Sequence, residues 1–96
     1  MLSDLLAVSY AYALGYSKKQ VKCLVTLWTR ESRFDHLARP RDAKGKTTSS
    51  AYGIAQLLGE RSSQPELQIL RGFRYIAHRY QGSACRALAA NRGRWY

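Results

Sequence analysis

Apolar positions in the first third of the chain repeat with helical spacing and then break at the point where the repeat calls for one more. Val21, Leu24, Val25 and Trp28 fall at i, i+3, i+4 and i+7, and the next positions on that face are Glu31 and Ser32. Ser17 and Gln20 have the spacing of a capping box, so this helix opens just after Gly15 and the pattern carries it to about Phe34. Ahead of it, Ser3 can cap a helix of about eleven residues. Its expected inner face is Leu2, Leu5, Leu6, Ser9, Tyr10, Ala13 and Leu14, and Gly15 is its stop.

Between Asp35 and Ser50 the periodicity disappears among Pro, Gly, Lys, Thr and Ser, which predicts a long, basic, exposed loop. Ala51 to Leu58 resumes as a short helix or helical turn, with Gly53 where the backbone must approach something closely. Ser63 and Glu66 form a second capping box with Pro65 in the first turn. The stripe that follows is Leu67, Leu70, Phe73, Ala77 and Tyr80, flanked by Ile69 and Ile76, with Arg71, Arg74, His78 and Arg79 outside it. Gly82 ends that helix, Ser83 caps a last short one, and Asn91 to Tyr96 is a Gly- and aromatic-bearing tail. No segment alternates as a strand does, and no internal repeat or low-complexity tract is present. The expectation is an all-α fold of about five helices with one long basic loop, in one domain over residues 1–96.

Charge adds a partner class. The net charge is +10, and after Glu66 the arginines 71, 74, 79, 86, 92 and 94 run without an acid. Such a balance suits a polyanion, whether nucleic acid, a phosphate-rich membrane face or the anionic bacterial envelope, and it does not choose among them. Cys23 and Cys85 are too few and too far apart for a zinc site. Each lies among apolar neighbours on an expected helix, so buried free thiols are expected ahead of a bridge, which would tie the second helix to the last. The N-terminus lacks the basic n-region of a signal peptide, since Asp4 is acidic and no Lys or Arg precedes Lys18, so a leaderless chain is expected. No apolar run is long enough to span a bilayer.

Glu31 is the one acid that the helical pattern turns inward. Burial and the negative end of the helix dipole both disfavour its ionised form, and a carboxyl that keeps its proton at neutral pH can act as a general acid at a glycosidic bond. The structural alternative is a glutamate at the core rim, capped by Arg30 or by loop amides. Asp35, four residues on, approaches from the same side as Glu31, whereas a retaining glycosidase needs its pair on opposite sides of the bond. It is therefore read as a helix-terminal or loop-ordering residue, with Asp42 left open. His36 and His78 lack metal-site company and are expected at the surface. Gly53 to Gln56 lacks the lysine and further glycines of a phosphate loop. The late arginines, interleaved with Tyr75, Tyr80, Trp95 and Tyr96, form either a solvated face or a surface that stacks on sugars or bases.

Four blocks in order resemble the lytic transglycosylase family with the lysozyme-like, soluble-transglycosylase fold. Glu31-Ser32-Arg33-Phe34-Asp35 is similar to its E-S-x-F/W-N signature, Ala51-Tyr52-Gly53-Ile54-Ala55-Gln56 to its A-x-G-L/I-M/x-Q block, and Gln68 to Ile76 to its N/Q-I-x-x-G-x-x-Y-L/I helix. Arg79-Tyr80, Gly82-Ser83-Ala84-Cys85 and the closing Gly93-Arg94-Trp95-Tyr96 look like the short variant of Gram-positive bacteria and their phages. The resemblance implies cleavage of the bond between N-acetylmuramic acid and N-acetylglucosamine in peptidoglycan, with Glu31 as acid and then base. Ser32 would orient the acid or the loop. Gln56 would bond substrate or catalytic groups, and Tyr75 would direct its hydroxyl at the acid or the sugar. No cofactor and no metal are required.

The chain departs from the family pattern in its longer, more basic stretch between Ala38 and Gly53, in Arg39-Pro40, in Asp35 for asparagine and in Ala55 for methionine. A phage product or virion component reaching the cell wall is expected, with peptidoglycan glycan strands as first partner, virion proteins as further ones and nucleic acid secondary. The rival readings are a hydrolytic muramidase on the same fold and a basic structural or DNA-contacting virion protein without catalysis.

Overall fold

In a computed structural model that describes residues 2–91 and 96, the chain forms α1 (Leu2–Ala13), α2 (Lys18–Ser32), β1 (Ala51–Tyr52), β2 (Leu57–Leu58), α3 (Pro65–Tyr80) and α4 (Ala84–Asn91). The protein is mostly helical, but it has four helices and a two-stranded antiparallel pair among the described residues in place of the expected five helices and no sheet. The closing Gly93-Arg94-Trp95 and Arg92 lie outside the described residues.

The expected fifth helix is the hairpin. Ala51 pairs with Leu58 and Tyr52 with Leu57 around a turn in which the Gln56 N–H donates to the Gly53 carbonyl. Gly53 has φ +79° and Gln56 φ +52°, left-handed values that a right-handed helix cannot contain. All six residues from Ala51 to Gln56 are buried, so the segment is covered on every side and has no solvent face to give it helical periodicity.

α2 starts as the capping pattern predicts, with the Gln20 N–H donating to Ser17 Oγ at 3.2 Å. The Gln20 side chain goes elsewhere. Its amide donates to Ser83 Oγ and accepts from the Cys85 N–H, making a strut to α4. The helix ends at Arg33, whose left-handed backbone (φ +54°) closes onto the Thr29 carbonyl, and Phe34 follows at φ +59°. Left-handed conformers cost roughly 1–2 kcal/mol per residue. Burying Phe34 against Trp28, with ring centroids 6.2 Å apart, offsets much of that, since a fully buried Phe contributes roughly 1.5–3 kcal/mol.

Two apolar faces differ from expectation. α1 buries Ala7 and Ala11, whereas Leu2, Leu5 and Leu14 of the expected inner face are exposed. The helix is apolar around most of its circumference, so periodicity does not select a side, and the small alanines allow the nearest approach to α2 and α3. α3 is turned by about one position, burying Ile69, Gly72, Phe73 and Ile76 and leaving Leu70 and Ala77 exposed. The reason is Trp28. Its indole lies where a Cβ on Gly72 would stand, 2.5 Å from Cζ2, so α3 presents its glycine to the largest buried side chain of α2. The Ser63–Glu66 capping box does not form. Gln64 is the N-cap, without a side-chain bond, and Glu66 turns to the Tyr10 hydroxyl of α1.

The cysteines correct a further expectation. Cys23 and Cys85 are not free thiols but a disulfide, with Cα atoms 4.9 Å apart because α4 packs chiefly on α2. The loop 35–50 is exposed as expected, and its turns are ordered locally. Asp35 Oδ1 accepts from the Leu37 N–H, Asp42 Oδ1 accepts from the N–H groups of Lys44 and Lys46, and Arg41 bridges Thr47. No described helix is long and apolar enough to cross a membrane.

Candidate active site

The periodicity of α2 turns Glu31 toward its neighbours, and the other helices supply a wall around it. Glu31 is half-buried, and burial pushes its pKa up; the Asn91 amide, donating to Oε2 at 2.6 Å, opposes that rise. Tyr75 of α3 and Tyr96 stand close enough for the Glu31 charge to raise their own pKa values further. In both cases burial is the larger cause. Arg79 pulls the Tyr75 hydroxyl the other way, and the Trp28 indole N–H does so for Tyr96.

Beside this group is a hollow of about 350 Å³ lined by Gln56, Leu57, Leu58, Tyr75, Arg79 and Tyr96. Glu31 is not in that lining; its charge reaches the hydroxyls of Tyr75 and Tyr96, which are. The tyrosines brace each other. Tyr75 and Tyr96 meet edge to face at 5.4 Å, Tyr80 stacks on Tyr96 at 6.3 Å, and the Tyr75 hydroxyl donates to the Tyr96 main-chain oxygen at 2.6 Å. The Tyr96 hydroxyl receives the Trp28 Nε1–H and donates to the Ala55 carbonyl, which anchors that ring to the core and to the hairpin.

The four residues singled out from sequence therefore gather at one region with differing tasks. Glu31 carries the acid. Ser32 donates to the Ile54 carbonyl at 2.6 Å, fastening the end of α2 to the hairpin turn. Gln56 lines the hollow while its amide nitrogen donates to the Gly53 and Ala38 carbonyls, so it clamps the turn and the start of the long loop. Tyr75 lines the hollow with its hydroxyl already engaged by Tyr96. Asp35 serves the loop, as expected, through its bond to Leu37. His78 is exposed, and His36 is half-buried, its Nδ1–H donating to the Ser63 carbonyl.

Three buried polar residues escaped the sequence reading. Asn91 follows Ala84 and Ala87 on the buried face of α4, so the break in apolar spacing that marks Glu31 marks it too. Gln68 sits on the buried face of α3, where its Oε1 accepts from the Ile54 N–H and its amide nitrogen donates to the His36 and Ser62 carbonyls. Glu60, in irregular chain with no periodic signal, is buried and ion-paired with Arg71. Set against known proteins, the chain matches no family model, no curated protein and no solved structure.

Proposed function

We propose that this protein is a lytic transglycosylase, a single lysozyme-like domain over residues 1–96 that cleaves peptidoglycan glycan strands with Glu31 as its acid and base. The observation that carries the proposal is a half-buried carboxyl whose pKa burial raises and whose charge reaches the tyrosines of an open hollow that an arginine also lines. Glu31 gives its proton to the oxygen between N-acetylmuramic acid and N-acetylglucosamine, and that bond breaks. As carboxylate it then takes the proton of the muramyl 6-hydroxyl while that oxygen closes on C1. The product is a 1,6-anhydro end, and Glu31 regains its proton. One carboxyl is enough for this cycle, and no metal or cofactor takes part.

Ser32 and Gln56 hold the hairpin turn at the end of α2, and the half-buried Tyr75, backed by Tyr96, offers ring surface to a sugar. The net charge of +10 suits an anionic wall, and it equally suits secondary contact with nucleic acid. A phage product carried with virion proteins to the cell wall is the setting we favour.

Digestion of purified peptidoglycan followed by mass spectrometry tests the proposal. Anhydro-muramyl ends are expected, and Glu31→Gln should abolish their release while the circular dichroism of the variant stays that of the parent. Reducing ends would identify a hydrolytic muramidase instead. No release by the parent would sink the enzyme and leave a basic structural protein.

A further inference from the structure

The Asn91–Glu31 bond joins two helices that are also tied at a second point. Cys23 of α2 is bridged to Cys85 of α4, and further along both helices Glu31 meets Asn91. Both contacts advance in the same direction, so α2 and α4 lie side by side and parallel. Gln20 reinforces the tied end through Ser83 and the Cys85 N–H. From Cys85 to Asn91 the helix rises about 9 Å. Ala84, Ala87 and Asn91 are all buried against the neighbouring elements, so the Asn91 amide has little room to choose another rotamer.

We propose that Asn91 is the positioning residue for Glu31 and that the Cys23–Cys85 bridge holds it there, so that opening the bridge uncouples the acid from its partner. This deepens the reading of Glu31 as acid and base and rests on that reading for its catalytic consequence alone. An amide N–H stabilises the carboxylate, while burial stabilises the neutral acid. With both present, Glu31 is able to release its proton and take one back, as the two halves of the cycle require. Asn91 also fixes Oε2, and with it the plane of the carboxyl group.

Among the described residues, the titratable groups facing Glu31 are Tyr75 from α3 and Tyr96, both with hydroxyls shifted upward and so neutral near pH 7. Arg79 stands beyond Tyr75, Arg30 and Arg33 are exposed on the α2 end, and Arg86 of α4 is bonded to Gln81 at the far end of that helix. Opening the bridge is a two-electron step. A dithiol reductant gives two electrons and two protons, the Sγ–Sγ bond becomes two Sγ–H groups, and the reductant closes to its own disulfide.

The test is a carbon-detected NMR titration of the Glu31 carboxyl, assigned with Glu31→Gln, in the oxidised protein, the protein reduced with dithiothreitol, and Asn91→Leu. Loss of one charge-assisted hydrogen bond should raise the Glu31 midpoint by about one pH unit. Asn91→Leu and reduction should move it in the same direction, and the two together by no more than either alone. The alkaline limb of peptidoglycan cleavage should move up with it.

An unmoved midpoint in folded Asn91→Leu overturns the positioning role, and Asn91→Ala, which also lacks a side-chain donor, provides the same readout if the leucine variant does not fold. A reduced protein with the oxidised midpoint, or one that loses its helical dichroism altogether, overturns the role of the bridge. If the midpoint moves as expected while no form cleaves peptidoglycan, the transglycosylase fails and the coupling stands.

Discussion

Two inward acids in this protein are handled in opposite ways. Glu60 is buried, with Oε2 paired to Arg71 and accepting from the Ser62 N–H, so a cation faces its charge and the pair holds chain to chain, while Oε1 has no hydrogen-bond partner among the described residues. Glu31 is half-buried beside a neutral amide, and burial raises its pKa. The sign of its effect on stability follows. Its folded value lies above its unfolded one, so the folded state binds the proton more tightly and Glu31 favours folding most at acidic pH. That contribution is lost as pH rises through the folded value. Thermal unfolding followed from about pH 4 to about pH 8 should therefore show a downward component that Glu31→Gln removes. A profile identical in parent and variant would mean that the acid titrates like a solvated one.

At the scale of elements, the site depends on close approaches that only glycine permits. Gly72 lets the Trp28 indole lie against α3, and its helical backbone has no strain of its own. Gly72→Ala should destabilise by about 1–3 kcal/mol through overpacking, despite alanine's better helix propensity. Gly53 has φ +79°, and a Cβ there would fall on the Gln68 amide that satisfies the Ile54 N–H. Gly53→Ala combines backbone strain with a displaced buried hydrogen bond, so its loss should exceed that of Gly72→Ala, by roughly 1–3 kcal/mol. Urea unfolding monitored by tryptophan fluorescence ranks the two. The reverse order would mean that the hairpin turn relaxes more easily than its hydrogen bonds suggest.

For the whole molecule, the bridge and the core share the task of keeping the four described helices together. The disulfide spans 62 residues of sequence. On the loop-entropy model a closure of that length contributes about 4 kcal/mol. Total stability for a chain of this size is of order 5–15 kcal/mol. Reduction should therefore lower the urea midpoint substantially, leaving a native state that still unfolds cooperatively in the cold. Equal midpoints for oxidised and reduced protein would show that the core alone sets stability. The shared core joins Ala7 and Ala11 of α1, Trp28 of α2, Ile69 and Phe73 of α3 and Ala87 of α4, and Tyr96 closes over it.

Sequence by itself determined the helices that have one polar face. α2 and its Ser17 cap, the exposed arginines of α3, the Ser83 cap of α4 and the exposed loop 35–50 all follow from local periodicity and turn chemistry. It also picked out Glu31, because a carboxyl on an apolar face is a local contradiction. Tertiary structure decided whatever depends on which faces meet. α1 is apolar on most sides, so its partners chose Ala7 and Ala11. Gly72 set the rotation of α3 only because Trp28 arrives there from another helix. Ala51 to Leu58 became a hairpin because its first six residues, Ala51 to Gln56, are enclosed by the rest of the fold, and Cys23 found Cys85 because α4 lies along α2. The partner of the acid belongs to that second group. Asn91 is far from Glu31 in the chain, and local spacing can mark each as inward-facing without showing that they share one hydrogen bond.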